Sequence, residues 1–171
     1  MNLPWQRPKP KQAGERSKTE AGIGREMTRT ERQWKRVLVP ALETPYSMRS
    51  LQVAYRLAQG TGGSVKLAFI LEVPRALPLD SALPDLESVA LAALEDARVS
   101  ALPYGIPVEP FVHRTRNAAD GILKLIALEN IDLLVLGGRP DGLRGLPSEL
   151  NRELFRRAPC EVVLDYIADE K

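Results

Sequence analysis

Ile131-Asp132-Leu133-Leu134-Val135-Leu136-Gly137-Gly138 decides the fold. The run from Ile131 to Leu136 is apolar apart from Asp132, shows no alternation, and stops at two glycines. An alternating strand keeps one face in water, whereas a continuous apolar strand is covered on both faces, as in a parallel sheet between layers of helices. Segments of the same kind recur on either side of it. Val37-Leu38-Val39 is a short apolar run closed by Pro40, and Val65 to Leu71 is a second strand that stops near Pro74. Val108 to His113 is a third, Ile131 to Leu136 the fourth, and Val162-Val163-Leu164, after Pro159, the fifth. Gly and Pro at their ends are the expected punctuation.

Helical periodicity fills the gaps. Between Ser47 and Gln59, Leu51, Ala54, Leu57 and Ala58 share one face, and Gly60, Gly62 and Gly63 end the helix. A Pro-rich loop covers Arg75 to Pro84. Leu86, Val89, Ala90, Ala93, Leu94, Ala97 and Ala101 then mark a long amphipathic helix, broken at Tyr104-Gly105. Asn117 is an N-cap, with Asp120 three residues on in the manner of a capping box, and Ile122, Leu125 and Ile126 form an inner stripe. Ser148 caps a last helix carrying Leu150, Leu154 and Phe155. The order β-α-β-α-β-α-β-α-β predicts an α/β fold: a doubly wound, five-stranded parallel sheet, Rossmann-like, with helices on both faces.

The 171 residues suit one domain and an extension; 44% are hydrophobic and 27% charged, the balance of an ordinary globular chain. No stretch reaches the roughly 18 apolar residues of a membrane span, and the start has no apolar core of a secretory signal, so the expected compartment is the cytoplasm. A lone cysteine, Cys160, excludes an internal disulfide, and a lone histidine, His113, argues against a zinc enzyme. Charge is uneven. Residues 1–36 hold ten Lys/Arg and four Asp/Glu, a balance of +6, and residues 37–171 hold fourteen and eighteen, a balance of −4. The mildly acidic domain predicts no specific nucleic-acid partner. Residues 1–34 read as a disordered basic tail, since Pro4, Pro8 and Pro10 and scattered Leu3, Trp5, Ile23 and Trp34 show no period. Residues 35–167 read as the domain. Met27 offers a second start.

Ligands of open parallel sheets bind beyond the carboxyl ends of the strands, where the strand order reverses. Two loops qualify here. The first is Pro40-Ala41-Leu42-Glu43-Thr44-Pro45; the second runs from Gly137 to Ser148 and holds Gly138, Arg139, Asp141 and Arg144. Glycines and a hydroxyl at a helix N-terminus make an anion cradle, though the spacing matches neither a Walker A loop nor GxGxxG. The competing reading is that the glycines only turn the chain. The candidate nucleotide or anion site is therefore Ala41, Leu42, Glu43, Gly137, Gly138, Arg139 and Ser148, with no catalytic and no metal-binding residue.

Three segments together resemble the universal stress protein family over about residues 35–165. Lys35-Arg36-Val37-Leu38-Val39-Pro40 is similar to its opening strand, Asn130 to Gly137 to its fourth strand, and Arg156-Arg157-Ala158-Pro159-Cys160-Glu161-Val162-Val163-Leu164 to its closing segment. Glu72 to Leu79 resembles the variety appended to amino-acid permeases, which implies a membrane transporter as a partner. The resemblance implies an adenine-nucleotide alpha hydrolase-like fold, a homodimer, and ATP or another adenine nucleotide as cofactor. It also places Val162, Val163 and Leu164 at a sheet edge, where they would pair with a second copy. Binding members carry an acid two residues after the first proline, where this chain has Leu42. Their glycine signature meets Gly137, but then Pro140, and Ser148-Glu149 in place of Gly-Ser. These departures predict weak or absent ATP binding.

His113 and Cys160 lack the partners a base or a reactive thiol needs, and Arg156 and Arg157 complement a helix C-terminus. The leading expectation is a regulatory binding module. An interaction protein without ligand, or a nucleotide-cleaving enzyme using Asp141, are the alternatives. The composition of the tail yields one test: deleting residues 1–26 should leave the thermal midpoint unchanged. A fall of more than about 5 °C in a melting curve would show that the tail packs on the domain.

Overall fold

The computed structural model describes residues 34–42, 45–138 and 148–166, with the backbone alone for residues 45–47. Expectations for residues 1–33 lie outside the described residues. Strands β1 (Arg36–Ala41), β2 (Ser64–Glu72), β3 (Val108–Thr115), β4 (Leu133–Gly138) and β5 (Glu161–Tyr166) alternate with α1 (Pro45–Thr61), α2 (Pro84–Ala101), α3 (Ala118–Leu128) and α4 (Glu149–Arg157). The five strands form one sheet in the order β3-β2-β1-β4-β5, and every pairing is parallel. The expected doubly wound α/β fold is present, and the order reverses between β1 and β4.

Alternate residues of the central strands feed two apolar layers, because successive side chains leave a strand on opposite faces. Val37, Val39, Val65, Leu67, Phe69, Leu133 and Val135 pack under α1 and α2 with Leu51, Ala54, Tyr55 and Ala97. Leu38, Ala68, Ile70, Leu134 and Leu136 pack under α3 and α4 with Ile122, Leu125, Ile126 and Leu154. Each large side chain wholly removed from water stabilises by about 1.5–3 kcal/mol. Tyr55 is fully buried, and its hydroxyl donates to the Ala97 carbonyl at 2.7 Å, which ties α1 to α2. Its ring leans on Tyr104 with centroids 5.2 Å apart.

Polar groups lock the sheet at its lower rim. Asp132, the one acid in the fourth apolar run, precedes β4. Its carboxylate accepts the N–H groups of Lys35 at 3.0 Å and Arg36 at 2.9 Å, while its own N–H donates to the Arg36 carbonyl at 3.0 Å. Trp34, read from sequence as part of the tail, belongs to the folded domain. Its ring packs on the layer under α1, its Nε1 donates to Glu161 at 2.8 Å, and its carbonyl accepts the Thr61 hydroxyl at 2.7 Å. Gly63 is glycine because a Cβ there would strike the Trp34 carbonyl oxygen.

Several boundaries differ from the expectation. Proline does not close β1: the strand continues through Pro40 to Ala41. Gly137 and Gly138 do not stop β4 but complete it, paired with Asp165 and Tyr166 of β5. The first helix begins at Pro45, two residues before Ser47. Val89, expected on the apolar stripe of its helix, and Phe155, expected among the apolar residues of the last one, are 47% and 64% exposed, since Ala90 and Leu154 take the inward positions. Asn117 caps α3 by accepting the Asp120 N–H at 3.0 Å, but the return half of the box is absent: Thr115 Oγ1 serves the Asn117 N–H, and Asp120 pairs with Arg157 at 2.9 Å.

Candidate functional site

The crevice begins with a missing donor. In a parallel sheet a residue turns its N–H and C=O toward one neighbour and the next residue turns to the other. The Lys35 carbonyl accepts from Ser64 on the β2 side, and the Arg36 carbonyl accepts from Asp132 on the β4 side. Arg36, Leu38 and Pro40 therefore face β4, and Val37, Val39 and Ala41 face β2. Proline has no N–H to give. Accordingly β1 pairs with β2 along its whole length, to Ala41↔Phe69, but with β4 only at Val37↔Leu133 and Leu38↔Leu134. Above Leu38 the two strands are unpaired, at the point where the strand order reverses.

The walls of that crevice come from the ends of β1 and β4 and the start of α4. Ala41 is buried in the layer under α1, and Leu42 is half-buried against the layer under α3 and α4, so the first wall is apolar. On the second wall, Ser148 caps α4 and its hydroxyl accepts the Asn151 N–H at 3.2 Å. Asn151, 5% exposed, reaches back to the end of β4, where its side-chain amide donates to the Gly137 carbonyl at 3.4 Å. A Cβ on Gly138 would lie 2.7 Å from that amide nitrogen. Gly138 thus makes room for Asn151, whose N–H and side-chain amide both bond to the protein itself. Glu149 is exposed in the first turn of α4.

The structure brings together Gly137, Gly138 and Ser148 from the expected set, and places Ala41 and Leu42 at the end of β1. Glu43, Arg139, Pro140, Asp141 and Arg144 lie outside the described residues. Asn151 was not expected. The only trace of it in the sequence is an amide at the third helical position after a capping serine, where a polar side chain ordinarily faces water. His113 lies within β3, paired with Ile70 at the far edge from the crevice, and burial, with Lys124 nearby, lowers its pKa. Cys160 sits just before β5, half-buried on the layer under α3 and α4, and burial raises its pKa. Among the described residues no group of three His, Cys, Asp or Glu stands together to hold a metal ion, and no helix is long and apolar enough to cross a membrane.

A second concavity, of about 420 Å³, lies between α4 and β5 and is lined by Glu149, Asn151, Arg152, Phe155, Arg156 and Leu164. Among the described residues, strand β5 has β4 as its one neighbour in the sheet. Val163 leans on the layer under α1 and α2; Val162 and Leu164 lean on the opposite layer; all three are half-buried.

A family model described as the universal stress protein family matches residues 33–164. Among proteins with curated descriptions none matches the chain in sequence. Solved structures show the likeness in fold. A universal stress protein from Burkholderia pseudomallei is 15% identical, with a TM-score of 0.61 over 77% of this chain and 95% of that one. One from Arabidopsis thaliana with AMP bound is 17% identical, with a TM-score of 0.58 over 79% of this chain and 93% of that one. One from Archaeoglobus fulgidus in complex with dAMP is 14% identical, with a TM-score of 0.60 over 77% of this chain and 97% of that one.

The lock between Gly138 and Asn151 gives a stability test. Gly138→Ala should displace the amide and cost roughly 1–3 kcal/mol in urea unfolding. Asn151→Ala should remove the obstacle, so the double variant should lose at least about 0.5 kcal/mol less than the two single losses combined. Strict additivity would mean that the two residues do not meet.

Proposed function

Since this chain belongs to the universal stress protein family, we propose that it is a regulatory binding module rather than a catalyst, with a reduced adenine-nucleotide site in the crevice above β1 and β4. The AMP and dAMP held by two of the similar structures suggest the class of ligand. One observation carries the reduction: at the head of α4, Ser148 and Asn151 are hydrogen-bonded to the protein's own backbone, and Asn151 fills the space that Gly138 leaves. A phosphate at a helix N-terminus needs N–H groups turned toward it. Leu42 supplies apolar surface and no carboxylate beside the crevice, and Glu149 adds negative charge in the first turn of α4. The site suits a small or weakly charged ligand better than a triphosphate.

Calorimetric titration should show ATP binding weaker than about 100 μM, a standard free energy smaller than roughly 5.5 kcal/mol. Micromolar or tighter ATP binding overturns the reduced-site reading. If AMP binds, Ser148→Ala should weaken it. Mass spectrometry of small molecules released from the denatured protein separates a ligand-binding module from an interaction protein that uses none.

We also propose a homodimer through β5. Among the described residues β5 stands at an edge of the sheet, and an edge strand is a pairing hazard unless covered. Beside it run half-buried Val162 and Leu164 and the 64% exposed Phe155. An antiparallel pairing of β5 with its copy covers all of these and closes on itself at two subunits. Light scattering should find dimers at tens of micromolar, and Val162→Lys or Val163→Lys should give monomers that keep their circular dichroism. A wild type that is monomeric there, or a dimer that neither substitution disturbs, refutes this seam.

A further inference from the structure

Helix α2 turns three of its alanines inward: Ala90, Ala97 and Ala101 are buried. Its outer face carries Leu91, Glu95, Arg98 and Leu102, at i, i+4, i+7 and i+11. With 3.6 residues per turn these four fall within an arc of roughly 60°. Leu102 follows the last residue of α2 with φ −52° and ψ −42°, so the spiral continues through it. The two leucines are 65% and 74% exposed, higher than the other exposed large apolar side chains among the described residues. Between them stand two exposed, opposite charges, and no ion pair joins Glu95 or Arg98 to a described residue.

The order of this stripe, Leu-Glu-Arg-Leu, is its own complement when reversed. A two-fold axis through the point midway between Asp96 and Ala97 would set a second α2 antiparallel on the first. Leu91 would then meet the partner's Leu102, and Glu95 the partner's Arg98. The two-fold repeats both contacts, because in such an interface residue i meets j and j meets i. We propose that the outer face of α2 is a self-complementary contact surface whose occupant is a second copy of this chain. An anionic membrane is disfavoured, since α2 carries Asp85, Glu87, Glu95 and Asp96 against Arg98 alone. The contact is separate from the β5 seam. Helix α2 packs on β2 and β3, at the end of the sheet away from β5. A single helix pair lies below the standard interface size, so association through it is weak and depends on concentration.

Sedimentation equilibrium of the full chain, from about 10 μM to about 1 mM, tests this in the range where weak interfaces assemble. The mean mass should at least double across that range: a monomer stops at two copies, whereas a β5 dimer, which carries an α2 face at each end, adds further copies, so failure of the β5 seam leaves this test intact. Glu95→Arg and Arg98→Glu should each raise the concentration at half-association about tenfold, by setting like charges across the axis. The double reversal, Glu95→Arg with Arg98→Glu, should restore it, because the reversed stripe is still its own complement. Leu91→Asn should abolish the doubling, with circular dichroism confirming the fold. A mass that stays constant to the highest concentration overturns the proposal, including the case in which the face serves a different protein. So does a double reversal that fails to restore association, or an association that Leu91→Asn leaves unchanged.

Discussion

One absent hydrogen-bond donor organises the upper half of this molecule. Pro40 stands in the strand at the centre of the sheet, a place where proline is ordinarily excluded because it interrupts the ladder. Here the interruption falls on one side only. The neighbouring residues Val39 and Ala41 keep their donors toward β2, so that ladder runs on unbroken, while the ladder toward β4 ends after Leu38. The opening between the middle strands is therefore written into the backbone rather than produced by loops. It falls where the order β3-β2-β1-β4-β5 reverses direction.

What lines that opening follows from how the chain fills it. A polar amide, Asn151, is buried beside β4, and burial of such a group is tolerated only with partners. Gly137 supplies the acceptor and Gly138 the space. This contact steadies α4 over β4.

The element order was legible because each strand is a continuous apolar run and each helix has a 3.6-residue period; neither signal needs knowledge of neighbours. Ends were less legible. Pro40, Gly137 and Gly138 are turn formers by local rule, yet all three lie within strands, since a neighbouring strand decides whether a missing N–H or a missing Cβ matters. Val89 and Phe155 fit the inward period but face water, because the arc of a helix that the sheet covers is narrower than the arc its apolar residues occupy. Of the site, the glycines and the capping Ser148 could be read from spacing. Asn151 could not, because its burial depends on a glycine 13 positions earlier along the chain. Trp34 looked like part of the tail for a similar reason: its anchor, Glu161, is 127 residues away.

The two-layered burial carries a cost in information. In a sheet with one wet face, slipping a strand by one residue moves its apolar set into water, and that penalty fixes the alignment. Here both faces of β1, β2 and β4 are apolar, so such a slip exchanges one oily layer for the other and the hydrophobic effect barely objects. Alignment must be specified by polar residues at the rims. Asp132 recognises the N–H groups of Lys35 and Arg36, which sets β1 against β4. Lys66 meets its direct cross-strand neighbour Glu109 at 2.5 Å and Glu129 at 3.1 Å, which sets β2 against β3 and the end of α3. Glu72 accepts the Ala118 N–H at 2.6 Å, which sets β2 against the start of α3. These contacts add little to the total stability, since most are partly exposed. Their weight lies in discrimination: they distinguish one alignment of the strands from its neighbours, and a chain stripped of them would keep its core and lose its address.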